Sequence, residues 1–438
     1  MKFIRTFFIF SLMEMVELYN KFKGCINVST DTRKLKNGSM YFALKGDNFN
    51  GNNFVEDAFN KGAKYCVVDE PSAVVNKNCI LVNDALKTLQ ELAKFHRAKI
   101  KYPIIGLTGS NGKTTTKELI YSVLSASFKV KATSGNLNNH IGVPLTLLEF
   151  QDDLDFGIVE MGANHQKEIE FLSSISQPDY GLITNFGKAH LEGFGGVEGV
   201  IKGKSELYDY IRANQKTAII NTDDEKQINQ IGNYKNIITF GSKNDNNCQI
   251  EFLNADPFVT VMFNTLKIQS QLIGAYNFGN IAVAIAIGNH FNVPKEAIKK
   301  GIEDYQPKNN RSEIIEKNST KIILDAYNAN PSSMLGALKN LKQLSAKNKM
   351  LFLGDMFELG EEAHAEHQSI VDFAETNFEK NVYLIGENFY NCGTKSSTKK
   401  FKTFDDIKSI LGSIMLDNST ILIKGSRGMA LERILEHI

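Results

Sequence analysis

Neither sign of charge is in excess in this chain: 50 Lys and Arg stand against 49 Asp and Glu in 438 residues. Without a global basic field, nucleic acid is not an expected partner, and any anionic ligand has to be held by local groups. Paired cysteines are missing too. Cys25, Cys66, Cys79, Cys248 and Cys392 are odd in number, scattered and free of Cys-x-x-Cys spacing, which argues against a disulfide framework or a zinc site and fits a reducing cytosol. A long apolar run is also absent, because the opening MKFIRTFFIFSL of residues 1–12 is far short of the roughly 20 apolar residues that span a bilayer. No small-residue cleavage site follows before the amphipathic stretch 13–22, which argues against a secretory signal. Residues 1–12 are therefore read as a non-native or disordered extension, with the true start at Met13 or Met15, no stable membrane insertion and a cytoplasmic location.

What is present is an ordinary soluble composition, 42% apolar and 23% charged, in a length that suggests about two to four domains. Three regions differ in punctuation. In residues 13–100, short apolar runs such as Met40-Tyr-Phe-Ala-Leu44 alternate with Gly, Asn and Asp turns, which predicts a small α/β domain. Residues 101–309 open with a strand, Ile104-Ile-Gly-Leu107, that runs through a glycine loop into a helix with Leu119, Ile120, Val123 and Leu124 on one face. Further strands are expected at 156–159, 180–184 and 217–220, each ending in polar residues, as in a mostly parallel sheet that binds ligands at its strand ends. After a linker near 305–310, residues 310–438 alternate strand and helix in four βα units, ending in a helix over Met429–Ile438; this predicts a Rossmann-like, doubly wound domain. The fold class is thus α/β, in three domains. No internal repeat or low-complexity tract is evident.

A triphosphate needs converging N–H donors, a lysine for its outer phosphates and a hydroxyl for Mg²⁺. Thr108-Gly109-Ser110-Asn111-Gly112-Lys113-Thr114-Thr115 supplies all three between a strand and a helix, although Leu107 replaces the first glycine of a strict Walker A loop. Glu160 closes the strand expected beside the phosphate strand, where a carboxylate can serve Mg²⁺. On its own an acid at a strand end is more often a helix cap or a solvated group, and the phosphate loop beside it favours a ligand. His190, Lys204 and the asparagines 136, 138 and 139 would by pattern be a surface histidine, a solvated helical face and a polar loop.

The Thr-Gly-Ser-Asn-Gly-Lys-Thr loop resembles that of Mur ligases and folylpolyglutamate synthases, and the likeness extends from about residue 25 to 432. The shared reaction it implies is phosphorylation of a carboxylate by ATP, followed by attack of an amine on the acyl phosphate. Family matches imply that Lys113 holds phosphate, and that Thr114 or Thr115 with Glu160, and His190 in Thr184-Asn-Phe-Gly-Lys-Ala-His-Leu-Glu192, serve two Mg²⁺ ions. They also imply that Lys204, in Lys-Ser-Glu-Leu register, is carbamylated by CO₂ to give a further anionic ligand, with Lys202 the competing candidate. Asn277 and Asn280 would face adenine, Arg311 and Asp325 would reach the nucleotide from the C-terminal domain, and Asn136, Asn138 and Asn139 would border the acceptor carboxylate.

Three segments select a branch of the family: Asp325-Ala-Tyr327-Asn328-Ala-Asn330-Pro-Ser332, Leu353-Gly-Asp-Met-Phe-Glu-Leu-Gly360 and Lys424-Gly-Ser-Arg427. They resemble the member that adds D-alanyl-D-alanine to UDP-N-acetylmuramoyl-tripeptide, the last cytoplasmic step of the peptidoglycan pentapeptide. As a turn alone, Pro331 and Asn330 would be a helix start and its cap. Ser29-Thr30-Asp31-Thr32-Arg33 and Lys45-Gly46 resemble the uridine-diphosphate-binding domain. The third-residue ligase and folylpolyglutamate synthases would lack Tyr327-Asn-Ala-Asn-Pro331, and a non-catalytic scaffold would not need Lys113, Glu160, His190 and Lys204. A monomer whose C-terminal domain closes over the substrates is expected.

Overall fold

The computed structural model of the chain describes residues 2–438 except 309, 318, 379, 415 and 417, with side chains described from residue 13 onward. Its three main sheets follow one another along the sequence. The first has strands Val28–Ser29, Met40–Phe42, Tyr65–Val68 and Cys79–Leu81, all parallel and in chain order. A separate hairpin pairs Lys45–Gly46 with Phe49–Asn50. The helix Lys2–Lys23 takes in the opening run, and the reading of residues 1–12 as an extension concerns side chains outside the described residues. Helix Ala85–Arg97 starts where the Asp84 carboxylate accepts from Lys87 N at 2.9 Å, and it buries Leu89, Leu92 and Ala93. Its last turn ties this part to the next: His96 Nε2 lies 2.8 Å from Phe150 O, and Arg97 pairs with Asp179 at 2.8 Å.

The central sheet has nine strands. Its parallel portion runs, in spatial order, Cys248–Ala255, Ile237–Gly241, Thr217–Asn221, Tyr180–Ile183, Ile104–Thr108, Phe156–Glu160 and Val130–Ala132. Ile104–Thr108 lies mid-sheet and every residue of it is buried, which is why it reads as a run rather than an alternation. Two antiparallel strands, Phe258–Phe263 and Leu266–Ile273, extend the far edge; the sequence pattern singles out no strand within 237–273. Helices Lys113–Ser125 and Phe278–His290 cover this sheet with Leu119, Ile120, Val123, Ile281 and Ile285 in one core.

The third sheet orders its six strands as Glu313–Lys317, Thr320–Asp325, Ser419–Lys424, Asn348–Gly354, Val382–Ile385 and Lys399–Phe401. Only the first is antiparallel, so this is the expected doubly wound layer with an added edge hairpin. The helix Pro331–Gln343 begins as its residues require: Asn330 Oδ1 accepts from Ser333 N at 2.9 Å and Ser333 Oγ accepts from Asn330 N at 3.1 Å. The expected helix over Met429–Ile438 is not formed. Ala430, at φ +47°, separates two short 3₁₀ segments, Arg427–Met429 and Leu431–Glu436.

Candidate active site

The phosphate loop leaves the carboxyl end of Ile104–Thr108, and its shape depends on two glycines. Gly109 has φ +145°, and a Cβ there would lie 2.0 Å from Thr184 Oγ1; Gly112 has φ +78°, and a Cβ there would meet Asn280 Oδ1 at 2.6 Å. Not every loop N–H is free for a phosphate. Ser110 N donates to Asn185 O at 3.1 Å and Asn111 N to Asn185 Oδ1 at 3.1 Å, so these two are taken, while the first N–H groups of the helix that starts at Lys113 have no partner within it. Lys113 itself folds back, donating to Gly109 O at 2.7 Å. Burial pushes its amine below the ordinary lysine value, Glu160 opposes that shift, and Arg311 adds to it.

Glu160 pairs in register with Leu107 on the adjacent strand. One carboxylate oxygen accepts from Thr114 Oγ1 at 3.2 Å and from Asn138 Nδ2 at 2.9 Å, while the other, Oε2, is buried without a partner. A buried orphan oxygen beside a helix N-terminus and a threonine hydroxyl suits a cation that carries most of its other ligands with it. Among the described residues, no group of three or more His, Cys, Asp or Glu could hold a metal without such help. Asn138 thus orients Glu160, and Asn139 caps the next turn, accepting from Gly142 N at 2.9 Å.

Lys204, on the helix Val197–Ala213, is fully buried. Its ammonium nitrogen reaches Ala163 O at 2.9 Å and sits 4.8 Å from the centre of the Phe194 ring. Burial pushes its pKa well below the lysine value, with Lys113 adding to the shift and Glu168 and Glu206 opposing it. Lys202, two residues earlier, is exposed. Asn277 does not cap its helix; its amide turns back to Ile273 O at 2.8 Å, and its carbonyl accepts from Asn280, which in turn accepts from Thr116 Oγ1 at 3.1 Å beneath the loop.

The C-terminal sheet completes the cleft, of about 1160 Å³, which is lined by the loop from Ser110, by Asn136, Asn138, Asn139, Glu160, His190, Asn277, Asn280 and Arg311, and by Asp325, Tyr327, Asn328, Asn330 and Ser332. Arg311 stacks on Tyr327 at 3.6 Å, and Asp325 accepts from Ser312 N at 3.0 Å and pairs with Lys424 at 2.5 Å. Across the cleft, Asn330 Nδ2 donates to Asn111 Oδ1 at 2.7 Å, Lys188 N donates to Ser332 Oγ at 2.8 Å, and His190 meets Glu358. Thr108, Gly109 and Lys204 stand behind the lining. Ser29, Thr30, Asp31, Thr32, Arg33, Lys45 and Gly46 are not in it: Asp31 pairs with Arg33 at 2.9 Å, and Lys45 bridges Asp69 and Glu70 at 3.0 Å each.

Residue types alone do not mark Thr184 and Asn185, which clamp Asn111 O at 2.6 and 2.9 Å, nor Lys424. The signal for the first pair is their place at the end of the strand beside the phosphate strand. For Lys424 the sequence offers the Lys424-Gly-Ser-Arg427 segment but not its partner, because Asp325 lies 99 residues away.

Family models match along most of the chain: "Mur ligase family, catalytic domain" at residues 26–103, "Mur ligase middle domain" at 107–288 and "Mur ligase, glutamate ligase domain" at 310–427. The UDP-N-acetylmuramoyl-tripeptide–D-alanyl-D-alanine ligase of Bacillus subtilis is 34% identical over 427 residues, covering 94% of this chain and 92% of that protein. The Escherichia coli protein of the same name is 32% identical over 428 residues, covering 93% and 92%. Among solved structures, MurF from Acinetobacter baumannii superposes with a TM-score of 0.83 at 30% identity, covering 96% of this chain and 97% of that one. MurF from Thermotoga maritima, solved with ADP, has the same fold at a TM-score of 0.83 and 23% identity. With the phosphate loop, the neighbouring carboxylate and three matched regions in one order, this chain belongs to the Mur ligase family.

Proposed function

We propose that this protein joins D-alanyl-D-alanine to UDP-N-acetylmuramoyl-tripeptide at the expense of ATP, in the cytoplasm and as a monomer. The observation that carries the reading is the shared cleft: the phosphate loop, Glu160 with its partnerless oxygen, and the segment Asp325–Ser332 all line one space. The corresponding domains are 13–100 for the uridine-diphosphate substrate, 101–309 for ATP and 310–438 for the dipeptide.

In this reading the terminal carboxylate of the tripeptide takes the γ-phosphoryl group and ADP leaves. The deprotonated amine of the dipeptide then attacks the acyl carbon, and inorganic phosphate departs. Little of this is covalent chemistry for the protein, whose task is to align three substrates and offset negative charge. Lys113, released from Gly109 O, and the N-terminus of Lys113–Ser125 face the phosphates. Thr114, Glu160, His190 and Lys204 are the residues that would hold Mg²⁺, which when bound supplies charge neutralisation on the phosphate oxygens. An ammonium at Lys204 would repel such an ion. Because burial favours the neutral amine, Nζ can add to CO₂ and release a proton, giving a carbamate with oxygen ligands. Asn277, Asn280, Arg311 and Asp325 border the nucleotide; Asn136, Asn138 and Asn139 border the acceptor; Tyr327, Asn328, Asn330 and Ser332 receive the dipeptide. Ser29–Arg33 and Lys45–Gly46 hold the uridine diphosphate.

Phosphate release from ATP that requires the UDP-tripeptide and D-alanyl-D-alanine together is the expected result. Release that ignores the dipeptide, or proceeds equally with another amine, would overturn the assignment.

A further inference from the structure

Glu358 and His190 meet across the two domains that close the cleft. The Glu358 carboxylate is hydrogen-bonded to Nδ1 of the imidazole. In the neutral imidazole, an Nδ1–H donated to a carboxylate leaves the opposite nitrogen, Nε2, with a free lone pair, the state in which histidine accepts a cation. The His190 side chain is 19% exposed and lines the cleft.

Glu358 does not reach His190 by a loose side chain. Its turn is pinned on its own domain, where Met356 N donates to the buried His367 Nε2 at 3.0 Å and Phe357 N donates to Ser426 Oγ at 3.0 Å. The same turn is pinned on the other domain, where Glu192 N donates to Glu358 O at 3.2 Å. Both partners hold left-handed backbone, φ +61° for Glu358 and φ +54° for His190. Side chains of this size keep that conformation only where their surroundings hold it. Two such residues facing each other across a domain boundary make a constructed contact.

We infer that Glu358 is a positioning residue for His190: it fixes the tautomer and orientation that present Nε2 to a divalent cation, and it does so only while the C-terminal domain is docked. The cation site and dipeptide-domain closure are then linked, because each stabilises the other through one hydrogen bond. The inference rests on the reading of His190 as a cation ligand.

Binding of Mn²⁺ to the full chain in the presence of ADP, followed by the electron paramagnetic resonance of the free ion, tests it without turnover. Glu358→Ala weakens the His190-dependent ion by about 10–100-fold. Glu358→Gln, which still offers a carbonyl oxygen to Nδ1–H, recovers most of that loss. A Glu358→Ala protein that binds Mn²⁺ as the parent does, while His190→Ala loses the ion, overturns the inference alone. A His190→Ala protein with parental Mn²⁺ affinity overturns the ligand reading beneath it.

Discussion

On the central wall of the cleft Glu160 and Lys204 are at most 1% exposed and hang from one sheet and one of its helices, whereas on the facing wall Asn328 is exposed and the contacts across are isolated polar ones at Asn330, Ser332, Glu358 and Glu366. The two walls also treat a buried lysine differently. Lys424 on the C-terminal wall has Asp325 at 2.5 Å as a counter-ion; Lys204 has a carbonyl oxygen and an aromatic ring, and among the described residues no salt bridge. A buried amine with no carboxylate partner is driven toward neutrality. The central wall is thus fixed in advance for chemistry on phosphate and carboxylate. The other is attached by few polar contacts, as a surface that must open for substrates has to be.

The largest effect expected on this contrast comes from Lys113→Ala. Loss of a charge aimed at the transferring phosphoryl group costs on the order of 3 kcal/mol or more in kcat/KM, with the melting temperature preserved. Steady-state phosphate release checks it, and activity within a few-fold of the parent would end the argument from the phosphate loop. Next is Lys204→Ala, which loses activity and regains part of it with added acetate, while exposed Lys202→Ala needs no rescue. A fully active Lys204→Ala enzyme would sink the carbamate proposal.

On the facing wall, Asn328→Ala raises the KM for D-alanyl-D-alanine by about tenfold, the cost of one hydrogen bond, and leaves ATP affinity nearly unchanged. Equal losses for both substrates would erase the distinction between the walls. The smallest effect is on stability. A lysine whose folded-state pKa is depressed is protonated more readily in the unfolded chain, so its cost grows as pH falls from roughly 10. In CO₂-free buffer, Lys204→Met should therefore be more stable than the parent by about 1 kcal/mol at neutral pH, with the margin shrinking toward pH 10. Thermal unfolding at both pH values decides it; a less stable variant at neutral pH would mean that Lys204 is charged and well solvated where it lies.

Where the chain's function is carried by neighbours in sequence, the amino-acid order alone makes it legible. The phosphate loop has to run from strand to helix because its apolar run, its glycines and its Lys-Thr follow in that order, and Pro331 after Asn330 suits only the start of a helix. Glu160 can be placed beside the loop because parallel strands gather their carboxyl ends at one edge of a sheet. The strands within 237–273 leave no such mark because their neighbours in the sheet impose the pairing. The helix expected after residue 428 is broken at Ala430, whose left-handed backbone no pattern of residue types records.

The strand, glycine loop and helix of the phosphate site, the alternation of strand and helix over 320–411 and the family are thus written into the amino-acid sequence, since each follows from adjacent residues and their periodicity. Which lysine is pushed toward neutrality, which oxygen of Glu160 lacks a partner, and that His190 meets Glu358 are decided only by the tertiary structure. Desolvation and hydrogen bonding depend on groups up to 168 residues away in the chain, and no local pattern carries that information.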